Sequence, residues 1–443
     1  MSALRRQRLG RLLAGLYLLA VPIMPVPEDW VLRMPLPRLQ PVDALAPAIV
    51  GWLAWTALAE RGLGRLCHAL LTLAALFALS PVVGAALDRP IALADLGEAG
   101  KRLYLGLVLA FFVWLWRRGA LDRAFQRFAL CWAGLLLLLS LGLYLHAAAT
   151  GRANFAVNVW QDYYFLGNVV ALRGPFSPTS KLLSVYVLLL GWSALAAQGR
   201  LSRSAAWAFA LLCAIAATLT LSRSGCLALL FLVLALLARQ PRASVWLALA
   251  ALPALLAILA LQAVTITYSP NLEAAFACGL AYAADPAAHA YGPMADGTEC
   301  RFRLAGSIVW FHYWQLKWVA LQAWTAAPWF GAGAGGFQAT LEALRADGAL
   351  PAALRSYFSA QSSYLSLAAE SGFAGLAAWL GLLALPLATA WRQRTDPAAG
   401  RVMCLAIAAL AIVAVDLDIQ NFRFLYALLP LALAAAVPDS VSR

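Results

Sequence analysis

The sequence predicts an all-α polytopic integral membrane protein with about twelve transmembrane helices and one large helical loop between helices 9 and 10. Three observations carry this. The 443 residues are 63% hydrophobic and 12% charged, with a mean hydropathy of +0.77. Soluble domains run at roughly 45–50% apolar and about 25% charged, so this composition leaves too little polar surface for a soluble fold of that size. Apolar stretches near the length that crosses a bilayer recur along the chain. Arginines recur in every second connection between them. The composition excludes a soluble enzyme, a disordered chain, a fibrous protein and a nucleic-acid binder. The net charge of +13 belongs first to membrane topology, because cytoplasmic loops collect Arg and Lys. Residues 1–443 are read as a single transmembrane domain.

The candidate spans lie near 9–26, 42–60, 66–87, 101–116, 128–149, 180–198, 204–222, 224–238, 243–266, 362–390, 402–419 and 422–437. No small-residue cleavage site follows the first, so it reads as a retained helix and not a removed signal peptide. Arg5, Arg6, Arg8 and Arg11 precede it and place the N-terminus in the cytoplasm. Alternating from there, the cytoplasmic connections hold Arg61 and Arg65; Arg117, Arg118, Arg123 and Arg127; Arg200 and Arg203; Arg239 and Arg242; and Arg392, Arg394 and Arg401. The pattern holds at each loop in turn and puts both termini inside. The expected location is a bacterial inner membrane.

Two outside segments are long, 150–179 and 267–361. The second is expected to form a loop subdomain. It contains an amphipathic aromatic piece, Ile308 to Trp324, read as a helix lying on the outer leaflet or as a thirteenth buried segment. Cys278 and Cys300 lie in this loop. An oxidising compartment favours a disulfide between them, the alternative being two free thiols. Cys67, Cys131, Cys213, Cys226 and Cys404 fall in or beside spans and read as small buried apolar residues. No His/Cys cluster indicates a metal site.

Ionisable residues at the ends of spans are candidates for function. Arg173, Arg223, Arg301, Arg303 and Arg423 fall on the outside, and guanidinium forks suit a lipid-linked diphosphate. Arg345 and Arg355 read as headgroup or acid partners. The glycine-rich run Gly331 to Phe337 lacks a strand–helix frame and reads as a tight turn, not a nucleotide loop. His68 and His146 read as structural and His289 as exposed; His312 is the one histidine near the suspected site. Glu370 falls within the apolar stretch that begins at Ser362, which gives it weight. Asp416 and Asp418 lie near the outer end of their span, where Arg423 is expected to neutralise one of them.

Several segments together resemble the O-antigen ligase and O-antigen polymerase superfamily. Thr220-Leu221-Ser222-Arg223-Ser224-Gly225 is similar to its Ser-Arg turn. Trp324 through Pro328 to Phe337 looks like its Pro-x-x-Gly-x-Gly-x-Gly-x-Phe segment. Gln361-Ser362-Ser363-Tyr364-Leu365, followed by Ala368-Ala369-Glu370-Ser371-Gly372, looks like its His-Asn-x-Tyr-Leu…Ala-Glu-Thr-Gly segment. Arg173 to Pro178 is similar to its Arg-x-x-Gly-x-Phe-x-x-Pro stretch, with shorter spacing. The resemblance implies a GT-C-like membrane glycosyltransferase. Such an enzyme moves a glycan from a polyprenyl-diphosphate donor to an acceptor at the periplasmic face, without a cofactor. Lipid A-core is the acceptor in ligases, a second lipid-linked glycan in polymerases, and a protein in O-oligosaccharyltransferases.

The family's loop histidine, its usual base, aligns with Gln361, and an amide takes no proton at neutral pH. Either His312 or Glu370 supplies the base, or arginine stabilisation of the leaving diphosphate carries catalysis, or the chain is a divergent member. A reading of another class is a lipid or glycan transporter, for which mid-span charges and internal repeats are the usual signature. Few such charges and no repeat are seen in the sequence.

Overall fold

The computed structural model describes residues 3–22, 40–60, 62–152, 154–160, 169–174, 180–197, 202–239, 311–350, 359–394 and 396–437. The helices are α1 (Ala3–Ala20), α2 (Ala46–Ala59, preceded by a 3₁₀ turn Pro41–Leu45), α3 (Arg65–Asp88), α4 (Leu93–Arg117), α5 (Arg123–Thr150), α6 (Ser180–Ala196), α7 (Arg203–Leu219) and α8 (Arg223–Arg239). They continue with α9 (Phe311–Ala326), α10 (Gly336–Ala346), α11 (Ser363–Gln393), α12 (Pro397–Asp416) and α13 (Arg423–Ala436). Helices overlap eleven of the expected apolar stretches, and 243–266 lies outside the described residues.

Among the described residues, six helices are long and apolar enough to cross a membrane: Pro41–Ala59, α3, α4, α5, α11 and α12. Shorter apolar helices of 10–17 residues are α6, α7, α8 and α13. The protein is thus a helical membrane protein, and among the described residues one feature departs from an all-α fold. Strands β1 (Val157–Trp160) and β2 (Val169–Leu172) pair antiparallel, Val157 opposite Leu172 and Trp160 opposite Val169. This small hairpin lies in the segment after α5, between spans, where strand pairing satisfies a connection's backbone.

Burial sorts the helices. α13 is buried from Arg423 to Ala435, α6 is buried from Leu183 onward, and α4 is buried on all faces between Val108 and Trp116. An apolar helix enclosed on every side belongs at the centre of a bundle. α13 packs on α6 and α4; α6 packs on α7 and α8; α12 packs on α8; and α3 packs on α4 and α11. The outer helices α3 and α5 expose Leu76, Leu79, Leu87, Leu135, Leu138, Leu139 and Leu145, a surface suited to lipid and not to water. Cys131 and Cys404 also face outward, contrary to the buried position expected of them; Cys67 and Cys213 are buried.

Polar contacts divide between the two ends of the bundle. At the near end, which holds the start of α1, Glu60 accepts from Arg6 at 3.4 Å and pairs with Arg118. Arg11 grips Asp122 at 2.6 and 2.8 Å, and Arg401 donates to the Ala238 carbonyl at 3.1 Å. Asp122 also caps α5 by accepting from the Phe125 amide at 2.8 Å. At the far end, Arg423 pairs with Asp43, Arg89 with Asp95, and Lys317 with Asp416.

A second, smaller core belongs to α9, α10 and the start of α11. Leu316, Val319, Ala320, Ala323, Phe337, Leu341, Ala360 and Ala369 close it. α9 therefore buries one face against α10 and α11 while Trp318 and Leu321 face outward. It is docked onto the bundle rather than resting on lipid alone.

Candidate far-end site

α11 is a broken helix. At Gly372 the backbone leaves helical geometry with φ +60°, ψ −163°. A break frees backbone groups that a low-dielectric setting penalises. The glycine-rich segment supplies their partners. Ala332 and Gly333 amides donate to the Ala369 and Glu370 carbonyls at 2.9 and 3.1 Å, and the Phe373 and Ala374 amides donate to Pro328 and Trp329 at 2.8 and 3.0 Å. Only glycine permits this approach. A Cβ on Gly372 would sit 2.3 Å from the Trp329 carbonyl carbon, and one on Gly331 would sit 2.3 Å from that of Glu370. Two segments singled out separately in the sequence thus form one backbone-to-backbone unit.

A charge cluster locks this unit to the bundle. Arg102 on α4 is 2% exposed; its guanidinium donates to Glu98 Oε1 at 2.9 Å, to Glu370 Oε2 at 2.9 Å and to Ser371 Oγ, and it lies 5.1 Å from the centre of the Phe77 ring. Lys101 Nζ is 2.5 Å from Glu98 Oε2. Two acids and two bases balance, which is the condition for burying charge. Phe77 faces a further demand, since Pro81 removes the amide that would bond its carbonyl; the Ser80 hydroxyl donates there at 3.1 Å. A second clamp stands beside the first. Arg89 forks onto Asp95 at 2.8 Å twice and donates to the Ala334 carbonyl, while Asp95 accepts from the Ala334 amide at 3.0 Å. The bond to Asp95 raises the Arg89 pKa above its already high ordinary value.

At the start of α11, Gln361 holds φ +52°. Ser359 and Ser366 on either side of it donate to Asp418 at 2.5 and 2.6 Å. Ser363 donates from both its amide and its hydroxyl to the Leu417 carbonyl, at 3.0 and 2.7 Å. The α11 start and the end of α12 are stitched together by hydroxyls.

The turn between α7 and α8 contains the other left-handed non-glycine residue, Leu221 at φ +47°. Ser184 of α6 reaches Ser222 at 2.9 Å and Thr220 at 3.3 Å. Its neighbour Leu183 sits against Gly174, the residue after Arg173. The segments bearing Arg173 and Arg223 therefore meet the same turn of α6. Arg223 opens α8, which runs antiparallel to α12. Counting back along both helices from the Arg401–Ala238 bond brings Arg223 level with Asp416 at the end of α12.

The remaining expectations sort as follows. Arg173 is half-buried at the end of β2, and its Nε donates to the Phe155 carbonyl at 2.8 Å. Arg423 does not neutralise Asp416 or Asp418. Its fork lies on Asp43 at 2.6 and 2.7 Å with both side chains 9% exposed, because the 3₁₀ turn before α2 brings Asp43 to the start of α13. The fork that was expected to hold substrate holds Asp43. Glu370 accepts from Arg102 at 2.9 Å. His312 lies in the first turn of α9. Arg301, Arg303, Cys278 and Cys300 lie outside the described residues. Sequence reasoning missed Glu98, Arg102, Arg89 and Asp95. The signal was present in the charged start of α4, Ala94 to Arg102, ahead of its apolar stretch.

No protein-family model matches the chain, and no curated protein matches its sequence.

Proposed function

We propose that this protein is a membrane glycosyltransferase that moves a glycan from a polyprenyl-diphosphate donor to an acceptor at the periplasmic face, with lipid A-core as the acceptor. The far end of the bundle is the periplasmic end in this reading, and about twelve spans enclose the site. One observation carries it. The two non-glycine residues with left-handed backbone among the described residues, Leu221 and Gln361, both fall in segments that resemble the ligase–polymerase superfamily, Leu221 in Thr220 to Gly225 and Gln361 at the start of Gln361 to Gly372. Strain of this kind is kept where the surroundings enforce it, and it clusters at working sites.

The chemistry asks little of the protein. A diphosphate is already a good leaving group, so the tasks are positioning, charge stabilisation and removal of a hydroxyl proton. Arg223 and Arg173 hold the diphosphate, with Arg301 and Arg303 completing the cationic set. Arg423, paired with Asp43, holds the bundle closed instead. Arg223→Ala should abolish glycan transfer while the protein still inserts and folds. Transfer retained in that variant would sink the assignment.

A second reading has one observation in its favour. The break of α11 at Gly372 is the kind of discontinuous helix that transporters use at their binding sites. Counterflow of a lipid-linked glycan across proteoliposomes without glycan transfer would favour it.

A further inference from the structure

The sequence named His312 and Glu370 as candidate bases, and the structure offers a further carboxylate. Asp418 follows α12 and is half-buried. Its Oδ1 accepts from Ser366 at 2.6 Å and from Gln420 Nε2 at 3.3 Å; its Oδ2 accepts from Ser359 at 2.5 Å. A carboxylate oxygen has two acceptor positions. Oδ1 is therefore filled, whereas Oδ2 retains one. Among the described residues Asp418 has no cationic partner within ion-pair distance, in contrast to Glu370, Glu98, Asp95 and Asp43. Beside it, Gln420 is 5% exposed, and its Oε1 is a buried acceptor with no hydrogen-bond partner. A buried carbonyl of this kind is costly until a donor arrives. Gln361 lies between Ser359 and Ser366 in the strained turn that holds Asp418. Asp418 Oδ2 and Gln420 Oε1 thus stand together as acceptors in want of O–H donors, as a sugar edge provides.

We infer that Asp418, Gln420 and the Gln361 turn form the acceptor subsite, and that Asp418 takes the proton from the attacking sugar hydroxyl. This rests on the transferase reading. In the step, the hydroxyl O–H bond breaks and its proton passes to Asp418 Oδ2. The hydroxyl oxygen forms a bond to the anomeric carbon of the donor glycan. The bond from that carbon to the diphosphate oxygen breaks, and its electron pair leaves with the polyprenyl diphosphate. Gln420 Oε1 receives a neighbouring hydroxyl and fixes the sugar's orientation, while Ser359 and Ser366 aim the carboxylate.

The test uses the full-length protein in proteoliposomes, with an undecaprenyl-diphosphate oligosaccharide as donor and purified lipid A-core as acceptor. Asp418→Asn should lower kcat by on the order of 10²–10⁴-fold, the usual contribution of a general base, with donor binding and thermal stability unchanged. Asp418→Glu should recover about tenfold of that loss. Gln420→Leu should raise the KM for lipid A-core and leave kcat within a few-fold. Asp418→Asn turning over within about threefold of wild type would overturn the subsite alone. So would a stable Gln420→Leu with an unchanged acceptor KM. A wild-type protein that binds the donor and transfers nothing overturns the transferase reading, and the subsite with it.

Discussion

Replacing Arg102 by methionine keeps most of the side-chain volume and removes its charge. Arg102 is 2% exposed, and it is the cation that touches Glu370. Glu98 keeps Lys101 at 2.5 Å after the change, so the loss falls on Glu370 and Ser371. Breaking a buried pair from one side costs about 3–5 kcal/mol, because it strands the other charge. Adding Glu370→Gln removes the stranded charge, so the double variant should fall within about 1–2 kcal/mol of wild type. Unfolding in mixed micelles by titration with SDS, followed by tryptophan fluorescence, measures each variant. Arg102→Met within about 1 kcal/mol of wild type would refute the clamp, as would a double variant that loses the sum of the two singles.

Other consequences can be measured in the same way. Gly372→Ala forces a Cβ to within 2.3 Å of the Trp329 carbonyl carbon in a left-handed position, and should cost about 2 kcal/mol or more by undocking the glycine-rich segment; a neutral substitution would contradict this. Arg423→Asp and Asp43→Arg should each cost about 3–5 kcal/mol, and the exchanged pair should recover most of it; no recovery would deny the pairing. In a variant lacking its native cysteines, a membrane-impermeant maleimide should label Gly151→Cys in intact spheroplasts. It should label Gly119→Cys only after permeabilisation. The reverse pattern would invert the orientation.

The long apolar helices were legible because lipid-length apolar runs are local signals, and Arg11, Arg118 and Arg401 make their contacts at one end of the bundle. The start of α4 was not legible. Leu93 to Gly100 has too much charge to read as a span, yet it is helical, its carboxylates held by Arg89, Lys101 and Arg102. On a sequence, Glu98 and Arg102 are an ordinary i, i+4 pair on a solvated face. Glu370, 268 residues away, turns them into a buried cluster, and separation in sequence hides that. The site divided likewise. Gln361, Arg223 and the glycine run stood out through motif context, and the break at Gly372 joined two of them. Asp418 was visible as a carboxylate but was assigned the wrong neighbour. Only the fold brings Asp43 to Arg423 and leaves Asp418 to the serines.

The most direct measurement is transfer by the purified protein in proteoliposomes, from a labelled undecaprenyl-diphosphate oligosaccharide to lipid A-core, read as a shift of label on a gel. The account predicts labelled lipid A-core with wild-type protein and none with Arg223→Ala. Equal labelling by the two proteins, or donor that binds the wild type and remains unreacted, would contradict it.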